Sequence, residues 1–428
     1  MRKKVFKRII IIAVAAFLGL LTLCSFLVYQ NIPENIVLYK DGKSVFNLNI
    51  PAVVSFEDSV GAASINGERL SDKVDCNLLE PVEISAEEDT QIQVSAFGIF
   101  PIKTVDVSVK EETAPKYLYV GGESMGVTLY TKGALIVGVS EVVNEKGENV
   151  SPGKEAGLKA GDVIISADGK EIQNSADLSK IVNQAKGDTI TLKIRREQTE
   201  YDVEIHPEKD SYDSVSRLGV WVRDSTAGVG TITFYDKDTG KFGGLGHAIT
   251  DLDTGSKLSV KNGNIISSEI IDVVKGEAGS PGELKGYFDA VHDKIGTLEI
   301  NSDYGIFGSF YKDKIDFSGK ELLEVGKKQD VHSGEGYIIS TVDDEGAKKF
   351  KCYISEVEIT DEISQKNFVV TITDEELLKK TGGIVQGQSG SPVIQDGKLI
   401  GAVTHVFVND PTKGYGIFAE TMLSKSQE

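Results

Sequence analysis

Short runs rich in Val, Ile and Thr, each closed by Gly, Asp, Asn or Pro, recur along most of this chain and leave little room for helices. Ile36-Val37-Leu38-Tyr39, Ala52-Val53-Val54-Ser55-Phe56 and Gln91-Ile92-Gln93-Val94-Ser95 are examples. Branched side chains favour the pleated strand, and a turn every few residues excludes long bundled helices. The 45 glycines supply those turns. At 428 residues the chain exceeds one ordinary core, so a mainly β, multidomain protein is expected.

The first thirty residues break the pattern. Arg2, Lys3, Lys4, Lys7 and Arg8 precede an uncharged apolar run from Ile9 to Tyr29. As a helix that run spans about 31 Å, enough for a bilayer core, and the basic residues before it place everything after Tyr29 outside the cytoplasm. Residues 1–30 therefore read as a cytoplasmic stub and a transmembrane helix. A cleaved signal peptide is the alternative, although no small-residue cleavage site follows the run. The net charge is −19; setting aside the five basic residues of the stub leaves −24 for the remainder. A surface that acidic excludes nucleic acid and anionic lipid as partners and suits a basic protein segment. Three cysteines make no disulfide framework; Cys24 lies in the apolar run, and Cys76 and Cys352 read as small buried residues, a bridge between them being the alternative.

Residues 31–115 read as a small β-rich domain or stalk ending in the linker Glu111-Glu112-Thr113-Ala114-Pro115. Between 116 and 207, the stretch from Ser151-Pro152-Gly153 through Ala156-Gly157-Leu158-Lys159-Ala160-Gly161-Asp162-Val163-Ile164 to Asp168-Gly169 resembles the bacterial PDZ pattern. One helical turn is expected at Ala156–Lys159, a strand over 163–167, a helix over 175–185 and a strand over 189–195. The resemblance makes Gly126, Val127, Thr128 and Leu129 the peptide-binding loop, which aims backbone N–H groups at a peptide end while a strand edge accepts the peptide. Thr128 stands where many PDZ domains carry a second Gly.

Residues 214–428 hold at least ten strand candidates, which suits two packed β-barrels or a sandwich. Gly387-Gln388-Ser389-Gly390-Ser391-Pro392 resembles the G-x-S-G-x-P turn of trypsin-like serine peptidases. Such a turn must expose a serine Oγ while two backbone N–H groups, here those of Gly387 and Ser389, face the developing oxyanion. Ser391 is the rival nucleophile, at the variable position. A base is needed, and five histidines are available. His247 follows the Gly-rich segment Gly243-Gly244-Leu245-Gly246, and His405 lies in an apolar strand; either can serve. Asp374, in Thr373-Asp374-Glu375-Glu376, is an N-cap or the third member of a triad; the capping-box spacing of Thr373 and Glu376 would place it at the first helical position, free to point elsewhere. No metal-site spacing and no phosphate-binding loop is present, so no cofactor and no metal is implied.

The apolar N-terminal run, the PDZ pattern, Thr381-Gly382-Gly383-Ile384-Val385-Gln386-Gly387-Gln388-Ser389-Gly390-Ser391-Pro392 and Gly401-Ala402-Val403-Thr404-His405-Val406-Phe407-Val408-Asn409-Asp410-Pro411-Thr412 together resemble the stage IV sporulation protein B peptidases. The resemblance implies a trypsin-like double β-barrel behind a PDZ domain, with His247 as base, Asp374 as orienting acid and Ser389 as nucleophile. It also implies a membrane-tethered, extracytoplasmic serine endopeptidase in the space between forespore and mother-cell membranes. Such an enzyme cleaves its own N-terminal region and cuts a membrane-bound regulator of an intramembrane protease. Gln388 departs from the Met of that family, and an Asp so near the serine departs from trypsin. A non-catalytic PDZ scaffold and a general quality-control protease are the rival classes.

Overall fold

A computed structural model describes the chain except residues 1–18, 20, 21, 24, 33, 41, 47–49, 111–113, 186, 187, 360–363 and 428. It divides into two compact units. The first takes Met1–Lys116 with Glu324–Gly334 and Ile354–Val369. In one of its sheets Asn35–Tyr39, Phe100–Lys110, Thr90–Ala96, Val53–Asp58 and Val74–Asn77 lie side by side, the first pair parallel and the others antiparallel. A second sheet orders Ser44–Phe46, Val82–Ala86, Ala63–Ile65 and Glu68–Arg69. Alternate residues of Asn35–Tyr39 and Val82–Ala86 turn inward, as the pleat dictates. Leu38, Phe56 and Val94 of the first sheet meet Ile65 and Ile84 of the second in one core.

The expected transmembrane helix is corrected here. Among the described residues no helix is long and apolar enough to cross a membrane. Most of the run from Ile9 lies outside the described residues. Its far end, residues 25–31, is helical and amphipathic: Phe26 and Tyr29 are exposed, whereas Val28 and the following Ile32 are buried in the β-domain core. Lys103 fixes that end by donating to the Tyr29 and Ile32 carbonyls at 3.1 and 2.7 Å. Val28 and Ile32 serve a protein core, a use that run length and hydropathy do not distinguish from lipid contact.

The second unit takes Tyr117–Leu323, Glu335–Tyr353 and Val370–Glu428. Strand β1 (Ser124–Val139) pairs through its second half with β2 (Val163–Ala167). Helix α1 (Ser175–Gln184) follows, started by the Asn174 side chain, which accepts from the Asp177 N–H. Then β3 (Ile190–Arg196) pairs with β2 and with β4 (Thr199–Ile205). Ile136, Leu158, Ile164, Leu178, Ile181 and Leu192 fill this PDZ core. The short helix expected at Ala156–Lys159 spans Pro152–Glu155, because Pro152 at its first turn is preset for helix entry.

Beyond it run β5 (Val220–Asp236), β6 (Lys241–Gly244), β7 (Val260–Ser267), β8 (Lys294–Ser302) and β9 (Gly305–Phe310). The first half of β1 pairs with β5 and β7; β5 pairs with β6, β6 with β9, β9 with β8 and β8 with β7. Six antiparallel strands thereby close into a barrel, which leaves no exposed edge. Met125, Val127, Ile232, Phe242, Ile265 and Leu298 lie in its core. Strands β1 and β5 each serve two cores: Ile136 and Val222 pack in the PDZ domain, Val127 and Ile232 in the barrel. Further along come helix α2 (Glu375–Thr381), β10 (Pro392–Gln395) and β11 (Lys398–Phe407), with β10 paired to Tyr337 and Ile338 and to β11. The buried thiols of Cys76 and Cys352 are unbridged, and burial pushes them up to about 11 and about 12, so both are neutral core groups.

Candidate active site

Ser389 occupies the turn between α2 and β10. It is half-buried, whereas Ser391 is fully buried and its hydroxyl finds no partner among the described residues. Only Ser389 can meet a substrate. Gly390 has φ +95°, and a Cβ there would stand 2.1 Å from the Thr231 carbonyl oxygen and 2.5 Å from the Leu245 nitrogen. No side chain fits that approach. The backbone N–H groups of Gly387 and Ser389 have no acceptor among the described residues, whereas those of Gln388, Gly390 and Ser391 donate to Val385, Val403 and Gln388. Gln388 is buried; its amide oxygen accepts from the Val385 N–H at 2.9 Å and its amide nitrogen donates to Ser340 at 3.3 Å.

The histidine follows β6 through an unusual backbone. Leu245 and Gly246 lie at φ +64° and +71°, and a Cβ on Gly246 would meet the Thr404 methyl at 2.8 Å. This elbow presses the His247 segment against β11. Thr404 of that strand accepts the Ser389 Oγ hydrogen at 2.8 Å, and the rings of His247 and His405 stand 4.7 Å apart. The two sequence candidates for the base are therefore neighbours, beside the serine. Nδ1 of His247 lies 2.8 Å from the Ala248 carbonyl. A carbonyl only accepts, so Nδ1 carries the hydrogen and Nε2 keeps its lone pair. Burial pushes the imidazole pKa below its ordinary value, against the opposing pull of the Ala248 carbonyl. No hydrogen bond joins Ser389 to His247 among the described residues.

Asp374 is placed elsewhere. It is the N-cap of α2: Oδ1 accepts from the Glu376 and Leu377 N–H groups at 3.0 and 3.1 Å, and Oδ2 from the Lys351 N–H at 3.2 Å. The capping-box reading, with Thr373 as cap, is corrected, because a carboxylate satisfies two orphan N–H groups where a hydroxyl satisfies one. No contact between Asp374 and His247 occurs among the described residues. Asp374→Ala is expected to cost about 1 kcal/mol, read as a lower melting temperature, with turnover per folded molecule within several-fold of the parent. A drop of roughly 10³ to 10⁴ in Asp374→Asn at unchanged melting temperature would instead return it to a triad.

The SpoIVB peptidase S55 profile matches residues 214–423, and the PDZ domain profile matches residues 124–206. Residues 214–423 form a SpoIVB peptidase S55 domain, and residues 124–206 form a PDZ domain. Short stretches of the same chain are similar to HtrA- and DegP-type proteases. The serine protease HTRA1 of Xenopus tropicalis is 38% identical over 79 residues, 18% of this chain and 15% of that protein. The probable periplasmic serine endoprotease DegP-like of Bartonella henselae is 42% identical over 55 residues, 13% and 11%. The putative zinc metalloprotease NMA0084 of Neisseria meningitidis is 25% identical over 177 residues, 40% and 37%. This chain thus spans well under half the length of these relatives. The solved Rv3671c protease, inactive form, aligns over 47% of this chain and 85% of its own at 14% identity and a TM-score of 0.26, too loosely to place residues by.

In the region matched as a PDZ domain, Gly126, Val127, Thr128 and Leu129 do not form a loop, and that expectation is corrected. They lie inside β1, paired with Val229, Gly228, Ala227 and Thr226 on one edge and with Ile266, Ile265, Asn264 and Gly263 on the other. Their N–H groups belong to the barrel ladders, and Gly126 is small because the Phe288 ring lies against it. The strand that runs beside α1 is the start of β5. Asp224 accepts from the Ser175 N–H at 2.7 Å at one end of that helix, and Asn183 accepts from the Ser216 N–H at 3.1 Å at the other. Leu218, Val220 and Val222 between these ties pack on the PDZ core. Sequence reasoning passed over Leu218-Gly219-Val220-Trp221-Val222; its apolar alternation after a turn was the available signal.

Proposed function

We propose that Ser389 is the nucleophile and His247 the general base of this endopeptidase, with the Gly387 and Ser389 N–H groups as its oxyanion hole. The observation that carries this is the half-buried but accessible serine on a glycine turn beside two unclaimed N–H groups and a neutral imidazole. Nε2 takes the Oγ proton as Oγ attacks the scissile carbonyl, the two N–H groups receive the oxyanion, and the imidazolium then protonates the leaving amine. For this, Oγ–H turns from the Thr404 carbonyl to Nε2, a tightening common when substrate enters. The PDZ domain offers the start of β5, beside α1, as an edge for an extended protein segment.

The natural substrates in this proposal are the enzyme's own N-terminal region and a membrane-bound regulatory protein. The setting is sporulation signalling between forespore and mother cell, outside the cytoplasm. The family match and the basic-then-apolar N-terminus, which suits export, support it. The polar, proline-containing stretch Gln30-Asn31-Ile32-Pro33-Glu34-Asn35 is the cleavage segment in this proposal. Ile32 is buried in the β-domain core, so cutting there requires the segment to peel away first. Wild-type protein in sporulating cells is expected to appear as the full-length form plus shorter forms beginning between about residue 30 and the first strand. Shorter forms should be missing from Ser389→Ala cells and return when active enzyme is supplied. Their persistence in Ser389→Ala cells would end the self-cleavage reading.

A further inference from the structure

Thr231, in β5, is buried to 1% exposure at the junction of the serine and histidine turns. Its N–H donates to the Ser389 carbonyl at 3.0 Å, its Oγ1 donates to the Gly387 carbonyl at 2.7 Å, and its own carbonyl accepts from the Leu245 N–H at 3.3 Å. We infer that Thr231 is a positioning residue whose hydroxyl holds the oxyanion hole in register with the nucleophile. This rests on the reading of Ser389 as the nucleophile.

The argument follows the peptide planes. In a trans peptide the N–H and the preceding carbonyl point opposite ways, so holding one aims the other. The Gly387 N–H shares a plane with the Gln386 carbonyl, which accepts from Leu284 at 2.8 Å. The Ser389 N–H shares a plane with the Gln388 carbonyl, which accepts from Ser391 at 2.9 Å. Both donor planes are thus fixed from behind. The plane between them, Gly387–Gln388, sets the angle at which the two donors converge. It pivots at Gly387, whose φ of +97° is a region that a residue without a Cβ enters and leaves freely. Two bonds hold that plane: the Gln388 N–H to Val385 at 3.1 Å and the Thr231 hydroxyl on the Gly387 carbonyl. The hydroxyl is the side-chain member of that pair. An oxyanion hole acts through donors already aimed, so a loosened plane lowers the rate of the chemical step and leaves ground-state binding alone.

Full-length Thr231→Val, Thr231→Ser and Thr341→Val proteins are compared with the parent in p-nitrophenyl acetate turnover, fluorophosphonate inactivation rate and melting temperature. Thr341 is a second buried threonine, bonded through Oγ1 to the Gly122 carbonyl at 3.0 Å and not part of the turn. Losing an oxyanion donor outright costs about 10² to 10³ in kcat, so a misaimed hole should cost about tenfold to a hundredfold in Thr231→Val, with KM within twofold. Thr231→Ser, which keeps the hydroxyl, should return to within a few-fold of the parent. Thr341→Val should lower the melting temperature without slowing turnover. The inference is overturned if Thr231→Val keeps the parental kcat and inactivation rate. It also fails if Thr231→Ser is as slow as Thr231→Val, or if Thr341→Val slows equally. Should the valine variant not fold, Thr231→Ala against Thr231→Ser reads the same hydroxyl. Mapping the fluorophosphonate adduct keeps the two readings apart: an adduct away from Ser389 removes the nucleophile assignment, whatever the threonine variants do.

Discussion

Ser389→Ala is expected to abolish peptide hydrolysis and fluorophosphonate labelling, a loss on the order of 10⁶ in kcat, while the protein stays folded. The size of the loss follows from chemistry: no other group near the turn can form the acyl-enzyme, so only water attack within the binding site remains. The small structural effect follows from geometry. Among the described residues the half-buried hydroxyl makes one hydrogen bond, to the Thr404 carbonyl, worth about 1 kcal/mol. Ser391→Ala should behave in the opposite way. Its hydroxyl is buried without a partner, so removing it should leave the rate unchanged and the fold equally or more stable. Activity measurements and melting curves on the two variants decide between them. Full activity in Ser389→Ala with loss in Ser391→Ala would move the nucleophile two residues on and refute the site.

His247→Ala is expected to match Ser389→Ala in severity, and the double variant should be no worse than either, because groups that act as a unit do not lose activity additively. His405→Ala should fall far short of this. Its ring stands against that of His247, so its loss removes a packing partner from the base and not the base itself. The pH profile provides an independent check. Burial lowers the His247 pKa from its ordinary value of 6.5, so the imidazole stays neutral, and competent to take a proton, at pH values where an exposed histidine is already charged. The acid limb of kcat/KM should therefore lie below pH 6.5. The same sign governs stability: as pH falls through 6.5 the unfolded chain takes up a proton that the folded site refuses, so this group's contribution to stability declines from there downward. An acid limb above pH 6.5 would exclude this histidine as the titrating base.

Features encoded in neighbouring residues can be read directly from the chain. Alternating apolar side chains and frequent glycines specify strands and turns, so the mainly β character, the PDZ elements and the G-x-S-G-x-P turn were legible from local pattern. Turn chemistry is partly local too: Gly390 lies at φ +95°, a conformation that glycine adopts without strain. Tertiary structure alone decided which surfaces these elements meet. Gly126-Val127-Thr128-Leu129 has the composition of a binding loop, yet two barrel strands pair with it on both edges, and pairing between distant strands leaves no local signature. The apolar segment ending near Tyr29 reads as lipid-facing by hydropathy, but Val28 and Ile32 are buried against a β-sheet, and hydropathy scores both environments alike. Asp374 carries the same carboxylate in either role; the position of the α2 N–H groups and of Lys351 decided that it caps a helix. Thr231 is an ordinary strand residue in sequence. Its importance arises from chain closure, because the barrel brings residue 231 to residues 245, 387 and 389, and no short-range pattern can report a contact made across more than 150 positions.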